Sequence, residues 1–173
     1  MKYSILVITS MTKHWQWAKE IEQKCTDETM SLGIVFLSCS DIELADIQRA
    51  IDGADIVLFT HVGSTLDTPL VKGIHKYITQ KQVPYVLLFH DSASDVQRYG
   101  VADEDIDQIK AYLHQGGTEN FYGLCQYMLS LQGYTGPVEP VEELPYQGIL
   151  GRQGEVYPSY EEYRKDYDHG GPV

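Results

Sequence analysis

The sequence predicts an α/β protein: an open parallel sheet of about four strands with helices on both faces, followed by an extended C-terminal arm. Three observations carry that expectation. Short apolar runs alternate with helix-period segments through residues 1–90. Each run is too continuous for a half-exposed strand and too short for most helices, which suits parallel strands covered on both sides. After Gly133 the texture changes, and prolines, acids and glycines replace the periodic apolar positions.

The strands are expected at 3–9, 33–38, 55–60 and 84–89. Between the first two, His14, Ala18, Ile21 and Cys25 recur at four, three and four residues, the spacing of one helix face. Leu44, Ile47 and Ile51 mark a second helix, with Ser40 and Glu43 in capping-box spacing before it. Leu70 or Val71, Ile74 and Ile78 mark a third, after Thr68 and a Pro69 suited to the first turn. Right-handed crossovers then give a Rossmann-like or flavodoxin-like sheet in the order 2-1-3-4. Two more helices follow. Ile106, Ile109 and Leu113 precede Gly116-Gly117, a glycine stop, and Phe121, Leu124, Cys125, Met128 and Leu131 precede Gly133. The segmentation is therefore a domain over 1–133 and an arm over 134–173. Pro137, Pro140, Pro145 and Pro158 should keep 134–158 extended and irregular, with a short Tyr-rich helix over 159–167. A sheet of this type normally has five strands. Finding only four suggests a piece of a longer chain, with Gly170-Gly171-Pro172-Val173 leading onward.

The 173 residues suffice for one domain with a core that needs neither disulfides nor a structural metal. The chain is 43% apolar and 22% charged, a globular composition, and no apolar run approaches the ~18 residues of a membrane helix. The first residues carry no small-residue cleavage site, so a cytoplasmic protein is expected. Net charge is −12, and it is unevenly placed. Residues 1–90 hold eight basic and ten acidic groups, residues 91–173 five and fifteen. Such a chain repels a phosphate backbone and an anionic bilayer alike, which argues against nucleic-acid and membrane partners. Cys25, Cys39 and Cys125 are odd in number and form no C-x-x-C pair, as expected of thiols in a reducing compartment.

In such a sheet, ligands bind beyond the carboxyl ends of the strands. The first of these loops, Thr9-Ser10-Met11-Thr12, has no glycine, so neither a G-x-G-x-x-G fingerprint nor a Walker A loop is present. Its hydroxyls are similar to a flavodoxin phosphate loop, but they are also ordinary helix-capping chemistry. Thr9, Ser10 and Asp91 are the candidate ligand-rim residues. Cys39, His61 and His90 follow strands two, three and four and are the candidate metal ligands, as thiolate and imidazole suit zinc or cobalt. The simpler account is a solvated polar rim, since no tight spacing enforces coordination geometry. A triad of Ser92, His61 and Asp91 can be written down but lacks a G-x-S-x-G elbow. No catalytic residue is assigned. Trp15 and Trp17 point to different faces of the first helix, so at least one is expected to be partly exposed. Tyr146, Tyr157, Tyr160, Tyr163 and Tyr167 suggest an arm that packs on another surface.

Three motifs in the second half occur in one order: Tyr112-Leu113-His114-Gln115-Gly116-Gly117-Thr118-Glu119-Asn120, then Pro137-Val138-Glu139-Pro140 with Leu144-Pro145-Tyr146-Gln147-Gly148-Ile149, then Pro158-Ser159-Tyr160-Glu161-Glu162-Tyr163. Over residues 110–167 this resembles the large subunit of ATP-dependent cobaltochelatase (CobN type) and the related magnesium chelatase H subunit. The chain departs from the family at Ile149-Leu150-Gly151-Arg152-Gln153-Gly154, where an aromatic-His-Pro sequence is usual. The resemblance implies an N-terminal piece of a very large ligase-type enzyme of cobalamin biosynthesis. That parent inserts cobalt, or magnesium, into a tetrapyrrole, and separate AAA+ subunits hydrolyse ATP. The expected partners are the remainder of the large subunit, those AAA+ subunits and the tetrapyrrole. The segment itself is expected to hold no cofactor and no active site. The alternative is a stand-alone flavodoxin-like protein that binds a small ligand or a metal. A receiver-like version lacks the paired acids expected after the first strand.

Overall fold

A computed structural model describes residues 2–24, 29–38, 42–61, 68–89 and 96–143, together with 149–150, 156–157, 161–162 and 164. The first compact unit runs from Met1 to Val141, beyond Gly133. Its elements alternate as the periodicity predicts: β1 (Tyr3–Thr9), α1 (Thr12–Lys24), β2 (Met30–Phe36), α2 (Leu44–Asp52), β3 (Ile56–His61), α3 (Pro69–Lys81) and β4 (Tyr85–Phe89). Then come β5 (Val96–Tyr99), α4 (Asp103–Gln115) and α5 (Gly117–Ser130).

The sheet has five strands in the order β2-β1-β3-β4-β5. Four are parallel, in the predicted order, and the fifth pairs antiparallel with β4. The expected count of about four therefore misses β5. Four residues long and reading Val-Gln-Arg-Tyr, this edge strand shows neither an apolar run nor clean alternation. With the fifth strand present, the strand count no longer argues that the chain is a piece of something longer.

Strand alternation splits the core between the two faces. Ile5, Val7, Ile56, Leu58 and Val86 face α1, α4 and α5. Leu6, Ile8, Val57, Phe59, Tyr85 and Leu87 face α2 and α3. This division is the one that right-handed crossovers impose on a sheet that grows in both directions from β1. Thr68 caps α3, its hydroxyl accepting from the Val71 N–H at 3.2 Å, with Pro69 in the first turn. The capping box proposed for α2 is corrected. The helix begins at Leu44, so Glu43 takes the N-cap position rather than the third helical one, and its side chain makes no capping bond. Ser40 lies outside the described residues.

On α5, Phe121, Leu124, Cys125, Met128 and Leu129 are buried, joined by the polar Asn120 and Gln126. Cys125 is fully buried and behaves as a small core residue, while Cys25 and Cys39 lie outside the described residues. The second unit, Glu142–Val173, contains a short antiparallel pair, β6 (Ile149–Leu150) with β7 (Val156–Tyr157). The expectation that 134–158 is irregular throughout is thus corrected at the Ile149-Leu150 position. Within the expected Tyr-rich helix, the described residues Glu161, Glu162 and Arg164 are helical.

Candidate functional site: the carboxyl rim and the helix corner

β1 and β3 lie side by side and send their chains to opposite faces, which makes their carboxyl ends the topological switch point of the sheet. Thr9 and Thr60 are register partners there. Being odd and even members of the α1-facing sets, both direct their side chains toward the first turn of that helix. The Thr60 hydroxyl donates to Thr9 Oγ1 at 2.8 Å, and His14 Nδ1 lies 3.0 Å from Thr60 Oγ1. Thr9 Oγ1 also accepts from the Met11 N–H at 2.9 Å. Thr60 Oγ1 thus bridges Thr9 and His14 in one chain of hydrogen bonds.

Thr9, Thr60 and His14 are 0%, 1% and 4% exposed. The imidazole is enclosed between Trp17, centroids 5.4 Å apart, and Phe121 at 5.6 Å. Buried and walled by aromatic rings, the relay offers no reactive group to solvent. Its chemistry is positional. It ties two strand ends to the first turn of α1, and the Ser10 N–H bonds back to the Thr60 carbonyl at 3.1 Å. The first rim loop is therefore held from both sides.

Of the sequence-derived rim residues, Thr9 is buried in this relay and Ser10 is half-buried beside it. His61 ends β3 opposite Phe89 of β4. Cys39, His90, Asp91 and Ser92 lie outside the described residues. Among the described residues, no three His, Cys, Asp or Glu side chains gather in a way that could hold a metal ion. Sequence reasoning missed Thr60 and His14 as members of one network. His14 reads as a core position in α1, and only the pairing of β1 with β3 brings Thr60 to it. Of the two tryptophans, Trp15 stacks on Phe36 at 5.2 Å and Trp17 packs in the relay's wall, and both are half-buried.

The Tyr112-to-Asn120 motif forms the corner between α4 and α5. Gly116 ends α4 with φ +70°, and a Cβ there would stand 3.0 Å from the Trp17 ring. The Asn120 side chain donates back to the Gly116 carbonyl at 2.9 Å. Tyr112, 2% exposed, donates its hydroxyl to the Glu139 carbonyl at 2.6 Å. The Glu139 N–H in turn donates to Gln126 Oε1 at 2.9 Å. Residues 134–141 are thereby strapped across α5. Gly123 lets them approach: a Cβ there would lie 2.8 Å from both the Glu139 carbonyl and the Tyr112 ring. Tyr112, Gly116 and Asn120 of the motif thus serve as architecture here.

Beside this corner, the Tyr127 hydroxyl donates to Asp105 at 2.7 Å. Burial, reinforced by that hydrogen bond and the carboxylate's charge, pushes its pKa up to about 12. Burial also raises that of Tyr112. On the opposite face, Asp52 is held below the usual carboxylate range by hydrogen bonds first from Lys81 and then from Tyr77.

No family model matches the chain, and no curated protein matches it in sequence. Among solved structures, the fold is similar to part of the catalytic subunit of cobaltochelatase from Mycobacterium tuberculosis, with a TM-score of 0.59 and 21% sequence identity. The alignment covers 88% of this chain but 12% of that one, so the likeness is one of fold to a small portion of a much longer protein.

Proposed function

We propose that this chain is the N-terminal α/β domain, with its connecting arm, of a cobaltochelatase-like large subunit. The observation that carries the reading is the fold likeness to the cobaltochelatase subunit over 88% of the chain. It coincides with the three ordered motifs of residues 110–167, which point to the same family from sequence. In this reading the parent exchanges two pyrrolic protons of a tetrapyrrole for a divalent cobalt ion, while AAA+ partners supply the work of ATP hydrolysis. The domain acts as a docking or lid module. The absence of a glycine phosphate loop after β1 fits a piece that leaves nucleotide chemistry to other subunits. The structural character of the Tyr112-to-Asn120 motif fits it too, since a motif that builds a corner serves assembly more than chemistry.

The test starts with the gene. The reading frame is expected to run on past Val173 into a much longer chain. Deletion of residues 1–130 from that chain should then weaken tetrapyrrole affinity, cobalt insertion or AAA+ coupling. A stop codon directly after Val173, or unchanged affinity, turnover and coupling, overturns the proposal. A yellow purified protein, or stoichiometric metal by elemental analysis, would favour a stand-alone binding protein instead.

A further inference from the structure

The two edges of the sheet are protected differently. β5 is four residues long and carries Gln97 and Arg98, the short, polar kind of strand that discourages further pairing. β2 ends the sheet on the other side. Over its seven residues, Met-Ser-Leu-Gly-Ile-Val-Phe, it has neither a charge nor a proline.

Parallel pairing fixes which groups of β2 face outward. The Tyr3 N–H donates to the Thr29 carbonyl and the Leu37 N–H to the Thr9 carbonyl, both at 2.8 Å. The odd-numbered residues of β2 therefore bond to β1, and the N–H and C=O groups of Met30, Leu32, Ile34 and Phe36 point away from it. Among the described residues, no backbone hydrogen bond reaches those of Leu32, Ile34 and Phe36. Their side chains form an apolar strip on the α1 side. Leu32 and Ile34 pack partly on the core there, Phe36 stacks on Trp15 at 5.2 Å, and all four are half-buried.

We infer that β2 pairs antiparallel with β2 of a second copy of this chain, about a twofold axis through Gly33. In this register the strand is complementary to itself. Leu32 exchanges hydrogen bonds with the partner's Ile34, and Met30 with the partner's Phe36, so every outward residue of both strands is satisfied. Apolar side chains meet apolar ones across the α1 side. At the centre Gly33 meets the partner's Gly33 in a non-hydrogen-bonded pair, where the Cα atoms come closest and no side chain obstructs them. A charged strand laid on the same edge would bury its charges against the strip, which favours an uncharged copy of β2 as the occupant. This inference does not depend on the proposed function, and neither result decides the other.

The test is sedimentation of the full 173-residue chain over a range of concentrations, with amide exchange read residue by residue. The mass should rise from 19.6 kDa toward twice that value as the concentration approaches about 1 mM, since one pair of strands makes a small interface. High salt should favour the dimer by screening the repulsion between two chains of net charge −12. Exchange at Leu32, Ile34 and Phe36 should slow about tenfold or more in the concentrated sample, whereas Gly33 and Val35, bonded to β1, stay slow in both. Ile34→Pro removes an outward N–H without touching the ladder to β1, and should weaken the dimer about tenfold or more. Three results overturn the inference: the mass of one chain at every concentration, a dimer whose three outward amides exchange as in the dilute sample, or wild-type dimerisation of a folded Ile34→Pro. Should that variant fail to fold, exchange in the wild type decides alone.

Discussion

The Thr9–Thr60–His14 relay shows how much a few buried polar atoms can decide. Thr60 serves two partners at once, so Thr60→Val, which keeps its shape, removes both bonds. Loss of about 1–3 kcal/mol is expected in urea denaturation, because the remaining groups stay buried. A surface threonine such as Thr79 should cost far less. A second residue-scale prediction concerns alkali. The folded chain holds the Tyr127 proton until about pH 12, whereas an ordinary tyrosine releases it near 10.0. Between those values the unfolded state binds fewer protons, so stability falls as pH rises, and below them this group adds no slope. Tyr112 shifts in the same direction and steepens the fall. Denaturation midpoints across that window should decline in the wild type and decline less in Tyr127→Phe.

At the scale of elements, the decisive contact is between α5 and the strap over it. Gly123 permits the approach, so Gly123→Ala must displace either the Glu139 backbone or the Tyr112 ring. The cost should be about 1–3 kcal/mol, the range for overpacking a core. Faster amide exchange at Glu139 would show that the strap has lifted. Helix positions themselves were legible, because Ala18, Ile21, Ile47, Ile51, Val71, Ile74 and Ile78 are buried where the periodicity puts them. Leu44, Leu113 and Leu131, also expected in the core, are only half-buried; at Leu113 the reason is visible. Its neighbour Tyr112 turns inward instead, drawn by the Glu139 carbonyl, a partner 27 residues away that local spacing cannot reveal. β5 was illegible for the opposite reason. An edge strand needs no apolar face, so it leaves little trace in hydrophobic pattern.

For the whole molecule, the first compact unit closes at Val141 rather than at the last helix. Tyr134 is 5% exposed, and it meets Tyr3 edge-on at 5.9 Å. A chain ending at Val141 should therefore unfold cooperatively at nearly the stability of this unit in the full chain. One ending at Gly133 should lose about 3 kcal/mol or more, from a buried aromatic and two hydrogen bonds at Glu139. Equal melting of the two truncations would show that the strap contributes nothing. The composition change at Gly133 falls inside this unit, because Tyr134 and the strap to Val141 still pack on it.

The sequence by itself determined the alternation of strands and helices, the parallel order 2-1-3-4 and the lack of a glycine phosphate loop. These follow from period, crossover handedness and residue identity, all of which are local or general rules. Only the tertiary structure decided the fifth strand, the relay that unites Thr9, Thr60 and His14, and the strap across α5. Each depends on pairing between residues distant in the chain. Hydrogen-bond geometry and close approach are properties of the assembled core, and hydrophobic periodicity does not encode them.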